Sequence, residues 1–445
     1  MLPAKPTLAI LTALACLQLV HLRAGRRNWD VIASAFDLTP RRPPEIAPPD
    51  PVIPEVRRGD SVLRLLQPDT LDRFYEALDR TERKEPGAVT RILHYGDSPT
   101  TADLITADVR DLLQRRFGDA GHGFILADQP WAWYTHRGVD VRGDRWKIAP
   151  ATQSSLRDGM YGLGGVSFEG PAGATSRFSL AARGHTSVEV AFLLRPDGGT
   201  FTVSADDRVL QTVDTAAATA APGFASIPIP AATRRISIEV ERGDARLFGA
   251  SLTKPATGVV YSSLGLNGGY VSVLARIFAE KHWREQLRHY RPHLVIINYG
   301  TNESVYDKFV DFAYEKEMKE ILRRLRVALP DTPILIMSPM DRGERQGSGE
   351  IGTPPALVRL VGLQEKVARE NACAFFNTFQ AMGGAGTMAR WYQSSPRLVG
   401  ADYLHPMPAG AKQIGTMLFR AIMDGYHQHK LHRMRENLSQ IGGGR

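Results

Sequence analysis

Residues 89–118 read VTRILHYGDSPTTADLITADVRDLLQRRFG. The first eight are mostly apolar or β-branched over the length of a buried strand, and they end at Gly96. The second half places Leu104, Val109, Leu112 and Leu113 on one helical face, with Gly118 as a stop. A strand, a tight turn and a helix in that order open a parallel α/β sheet. Ser98 falls in the turn, at the carboxyl edge where such sheets bind ligands. The adjoining helix N-terminus has free N–H groups that can hold negative charge.

The same rhythm returns far downstream. From VVYSSLGLNGG onward the chain alternates helical segments (269–290, 314–329, 357–371, 409–428) with short apolar strands (293–303, 332–339, 373–379). Upstream, PDTLDRFYEALDRTERK sets Leu71, Phe74 and Leu78 at helical spacing after Asp69 or Thr70 as N-cap. Between the two halves the helical period vanishes. SVEVAFLL, TFTVSA, RVLQTV, FASIPI, RRISIEV and RLFGASL are short strands, with turn residues such as Pro196–Gly199 and Gly243–Asp244 between them. These runs describe an antiparallel β-sandwich inserted into an α/β domain, not appended to it. The expected organisation is 61–128 for the first α/β part, 129–254 for the insertion and 255–430 for the second α/β part.

At the N-terminus, Lys5 precedes the uncharged apolar run TLAILTALACLQLV, which His21, Arg23, Arg26 and Arg27 follow. That run is shorter than the ~20 residues of a spanning helix, so 1–24 reads as a signal peptide or a short signal anchor. An anchor would leave a membrane tether. Residues 39–60 include TPRRPPEIAPPDPVIP, a proline-rich linker that cannot hold helix or sheet ladders. The chain of 445 residues is 43% hydrophobic and 23% charged, which is a globular composition, and its net charge of +8 suits an anionic partner. The basic residues are dispersed among acids, which argues against a nucleic-acid partner. Two cysteines, Cys16 and Cys373, are too few for a disulfide framework or a thiolate zinc site. Cys373 reads as a small core residue.

Four stretches could carry chemistry. Ser98 in HYGDSPT sits at the strand-to-helix turn, although Asp97 or Ser98 there can equally be a plain helix cap. Asp402 and His405 in ADYLHP are three apart. That spacing lets the carboxylate hold one ring nitrogen while the other faces a nucleophile, but Asp-x-x-His is also an ordinary surface pattern. Asn302 follows an apolar strand in IINYGTNE, where a side-chain amide can stabilise an oxyanion. LGLNGG holds Gly265, Gly268 and Gly269, and one of their N–H groups could serve as a further donor.

Taken together and in this order, the four stretches resemble the SGNH (GDSL-type) hydrolases, over about 61–128 and 255–430. The resemblance implies a three-layer, flavodoxin-like parallel sheet. It also implies Ser98 as nucleophile, His405 as base, Asp402 as its orienter, and an oxyanion hole from Ser98, Gly268 and Asn302, with Gly265 or Gly269 as alternative glycines. Two departures are Pro99 after the serine and Glu303 where the family has aspartate. The insertion and the Y-G-T-N-E form resemble the peptidoglycan O-acetylesterase branch, whose inserted module is carbohydrate-binding-like. The implied activity is an exported acetylesterase of the periplasm or cell envelope that acts on an acetylated polysaccharide without metal or organic cofactor. Trp131, Trp133 and Tyr134 could stack on sugar rings or cement the insertion to the α/β body. An O-acetyltransferase, a vestigial carbohydrate-binding wall protein and a lipase or thioesterase remain open alternatives.

Overall fold

The computed structural model describes residues 63–442 apart from 154, 155, 157 and 348. The expected signal peptide or anchor, the expected proline-rich linker and Cys16 lie outside the described residues. Five parallel strands form one sheet in the order β13 (Gly258–Gly265), β1 (Val89–Gly96), β14 (Leu294–Asn298), β15 (Ile334–Met337), β18 (Ala374–Phe376). In chain order these are the second, first, third, fourth and fifth strands, the flavodoxin-like order, whose ligand crevice opens beside the first strand.

Side chains alternate along each strand and divide between two cores. Ile92, Leu294 and Ile296 face a core shared with helices Asp72–Glu82, Leu104–Phe117 and the start of Pro408–Gly442. Leu93, Tyr95, Val295 and Ile297 face the other core, shared with helices Glu280–Tyr290, Tyr314–Ala328 and Pro355–Glu370. Apolar residues on both sides of every central strand require helices on both faces, which is why these strands read as unbroken apolar runs.

The remaining sheets are antiparallel. One runs β10 (Ala221–Pro228), β7 (Ser187–Leu194), β12 (Asp244–Thr253), β5 (Val166–Pro171), β4 (Lys147–Pro150), with β2 (Gly121–Ile125) also paired to β12. The other runs β3 (Val139–Asp144), β6 (Thr175–Leu180), β11 (Arg235–Arg242), β8 (Thr200–Ala205), β9 (Arg208–Asp214). Val188, Val190 and Leu247 of the first and Phe178, Phe201, Ile236 and Ile238 of the second belong to one core. A two-stranded hairpin, β16 and β17 (Glu344–Arg345, Ile351–Gly352), leaves the parallel sheet's carboxyl edge. No helix among the described residues is long and apolar enough to cross a membrane.

The local structure departs from the sequence reading in several places. Antiparallel pairing begins at β2, before residue 129, because Ala250 to Leu252 of β12 reach Ile125 to Gly123 in register. Strands β3 to β6 were missed because VDVRGD, KIAP, VSFEGP and TSRFSL carry too few apolar residues to show a clear period. The helix expected over 269–290 is two pieces, a π-turn at Val273–Ile277 and an α-helix at Glu280–Tyr290. The buried Arg324 guanidinium takes the freed carbonyls of Leu274 and Phe278, so the break is satisfied. The closing helix continues past Gln428 to Gly442. Neither Asp69 nor Thr70 caps the first α-helix, which begins after a 3-10 turn at Pro68–Leu71 with Leu71 in the cap position. Cys373 is fully buried and its thiol is pushed up to about 11 by burial, as suits a core residue.

Candidate active site

The parallel register sets three of the four stretches side by side. Gly96 is level with Gly265 on one neighbour and with Asn298 on the other. The segments that follow these residues, Asp97–Ser98, Leu266–Gly269 and Tyr299–Asn302, therefore leave the sheet at one edge. The fourth stretch arrives from the loop before Pro408–Gly442.

Ser98 is the first residue of a single helical turn, Ser98–Thr101. Asp97 occupies the cap position, yet its side chain makes no cap bond, so capping does not explain the motif. Its backbone carbonyl instead accepts from the N–H groups of Thr100 and Thr101. The chain then kinks. Asp103 adopts φ 49°, and the second helix starts at Leu104. The kink is locked by a buried cluster that the sequence reading did not find. Both guanidinium nitrogens of Arg110 donate to Asp103, at 3.1 and 2.7 Å, and so do the Thr106 hydroxyl and the Arg137 N–H. Asp103 and Arg110 are each about 1% exposed. Burial alone would raise Asp103, but the Arg110 charge and these bonds hold it well below the usual carboxylate range. Arg110 lies two turns beyond Asp103 on the same helix, and its burial is what makes the pairing necessary.

His405 Nε2 lies 3.1 Å from Ser98 Oγ, and His405 Nδ1 lies 2.7 Å from Asp402 Oδ2. The other carboxylate oxygen accepts from the N–H groups of Leu404 and His405, both at 3.1 Å. Gly400 N–H donates to the His405 carbonyl, and Gly343 N–H to the Tyr403 carbonyl, which fixes the loop around a left-handed Tyr403 (φ 54°). Burial pushes Asp402 up, but the His405 ring and the two N–H donors outweigh it and lower its pKa. The dyad is open to water: His405 is 46% and Asp402 49% exposed.

The three glycines differ in geometry. Gly265 ends β13, where an added Cβ would lie 2.0 Å from the Thr101 nitrogen, so close packing demands glycine. Gly269 uses its N–H on the Leu266 carbonyl. Gly268 has φ +65°, nothing within 4 Å of an added Cβ, and, like Ser98, an N–H without a partner among the described residues. The Asn302 amide donates to the Gly269 carbonyl at 2.8 Å, which orients it and leaves its second N–H to spare. One serine, one base with its orienter, and free donors on two adjacent loops form the parts of an acyl-transfer site.

The aromatic residues separate into two groups. Tyr134 is buried, with its hydroxyl accepting from Leu126 N–H, and Trp131 packs against the core. Trp133 is 50% exposed and donates through its indole N–H to Asn267, the residue before Gly268. The glycine-rich DGMYGLGG segment underlies the same loop. Gly165 packs on Leu266, and the Gly159 carbonyl accepts from Ala279 at the helix break. A cavity of about 470 Å³ beside Tyr134 and His136 has no lining from Ser98, Asp402 or His405.

Residues 235–413 match the GDSL-like Lipase/Acylhydrolase family, a span that holds Gly268, Asn302, Asp402 and His405 but not Ser98. Over that part of its length the chain is similar to this family of lipases and acylhydrolases. Its fold is like that of a peptidoglycan O-acetylesterase, with a TM-score of 0.68 and 23% identity over 80% of this chain and 96% of that one. A family two carbohydrate esterase from Clostridium thermocellum (an active-site mutant) aligns at a TM-score of 0.27 and 12% identity, over 64% of this chain and 98% of that one. No curated protein matches the chain.

Proposed function

We propose that this protein is an exported serine esterase that removes O-acetyl groups from an extracytoplasmic polysaccharide such as peptidoglycan. The observation that carries the chemistry is the continuous chain Ser98 Oγ, His405, Asp402 beside two unbonded N–H groups. The Ser98 hydroxyl donates to Nε2 and attacks the ester carbonyl as its proton passes to His405. Nδ1–H donates to Asp402, which holds the ring and stabilises its charged form. The tetrahedral oxygen rests on the N–H groups of Ser98 and Gly268 and on the Asn302 amide. His405 returns the proton to the departing sugar hydroxyl, and water then releases acetate from Ser98 by the same route.

Support for the substrate comes from the fold shared with the peptidoglycan O-acetylesterase, the exposed Trp133 at the rim as a surface for a sugar ring, and the exportable N-terminus. The test is hydrolysis of p-nitrophenyl acetate, butyrate and octanoate by the full chain beside Ser98→Ala. Serine-dependent turnover confined to acetate is expected. A preference for octanoate would move the substrate to lipids, and no activity above Ser98→Ala would overturn the esterase. Acetyl transfer to an added glycan in place of acetate release would make it a transferase.

A further inference from the structure

We infer that Glu303 is a positioning residue of this acyl-transfer site, because its side chain ties the segment carrying the Asn302 amide to the loop carrying the Gly268 N–H. The inference rests on the esterase reading above. Glu303 is 2% exposed and opens the short turn directly after Asn302. Its Oε1 accepts the Val271 N–H at 2.8 Å, three residues beyond Gly268. A second tie runs alongside, from the Asn302 amide to the Gly269 carbonyl at 2.8 Å. The two loops leave different strands, β13 and β14, which are not neighbours because β1 lies between them. No backbone ladder can therefore set their separation, and these two side-chain bonds span the gap. Losing the Glu303 tie frees both donors to shift, and donor placement matters most when charge develops on the oxygen.

The second carboxyl oxygen, Oε2, is buried with no partner. A buried charge without a partner is costly, so the group is held neutral. Burial, with the Asp97 charge nearby, pushes Glu303 up to about 8. The titratable groups around it are Asp97, pushed up to about 6 by burial, and the phenols of Tyr299 and Tyr314, raised well above their usual value by burial. Asp97 in turn feels His405. A neutral carboxyl clamps the loops without opposing an oxyanion, whereas an ionised one places negative charge behind the donors. Loss of the proton above about pH 8 therefore weakens the site.

The experiment compares Glu303→Gln and Glu303→Ala with wild type and Ser98→Ala on p-nitrophenyl acetate, from pH 6.5 to 9.5, with thermal melts of each. Alanine removes the tie and is expected to lower kcat by roughly 10–10² with KM within about twofold, since an interaction made only in the transition state acts on kcat. Glutamine keeps an accepting carbonyl without an ionisable proton. It should recover most of what alanine loses and abolish a fall in kcat near pH 8 that wild type shows. Serine-dependent wild-type activity with kcat unchanged in Glu303→Ala overturns the positioning role alone, as does an alkaline fall retained in Glu303→Gln. Should alanine unfold, the glutamine pH profile decides. Wild-type activity no higher than that of Ser98→Ala overturns the esterase reading and this inference with it.

Discussion

Removing the Asp402 carboxylate measures how much of the triad's coupling survives in an open site. In an enclosed triad, losing the carboxylate's function costs ~10⁴ in kcat. Here both partners are almost half exposed, and the bond between them is 2.7 Å long. Two unit charges about 4 Å apart attract by roughly 1 kcal/mol in water and roughly 4 kcal/mol at an effective permittivity of ~20. Half exposure places the pair between those limits, at about 2–3 kcal/mol, because solvent screens it. At about 1.4 kcal/mol per decade, Asp402→Ala should lower kcat on p-nitrophenyl acetate by about 30- to 150-fold, with KM little changed. The deficit should shrink as salt is raised from ~0.05 to ~1 M, since exposed charges are screened over a Debye length of a few ångströms at the upper limit. A fall of ~10⁴ that ignores salt would mean the dyad works in an enclosed medium. A fall under about threefold would mean Asp402 does not orient His405. Either result refutes the reasoning.

Two further outcomes follow from the same geometry. Asn302→Ala deletes a prealigned donor and one of the two loop ties. It should cost roughly 10²–10³ in kcat while the melting temperature moves little, and a change confined to KM would exclude the amide from the oxyanion hole. Asp103→Ala leaves Arg110 charged, buried and unpaired, so urea unfolding at pH 7 should show a loss of roughly 3–5 kcal/mol. Because the folded Asp103 pKa is depressed, its contribution is fully present above the unfolded value near ~3.9 and is lost progressively as pH falls from there through the much lower folded value. The gap between wild type and variant should therefore be narrower at pH 3 than at pH 7, and a constant gap would contradict the assignment.

The sequence alone determined the parallel sheet, because apolar runs ending in Gly96, Gly265 and the Tyr299–Gly300 pair have no other economical packing than a strand covered on both faces. It also pointed to the proposed reacting residues, since serine at a strand-to-helix turn and Asp-x-x-His before a helix are local patterns set by residues a few positions apart. Strands β3 to β6 were not legible, because their polar outward positions and short lengths dilute the period of two. The break at Phe278 was invisible because its stabilising guanidinium, Arg324, lies 46 residues away. The choice of Gly268 over Gly265 and Gly269 rests on φ and on which N–H is already bonded, and no spacing encodes either. The Glu303 tie belongs to the same class, since it joins two loops that only the closed sheet brings together. The Asp103–Arg110 pair lies within one helix and its cap, and there the tertiary structure decided the burial that makes an unpaired charge costly.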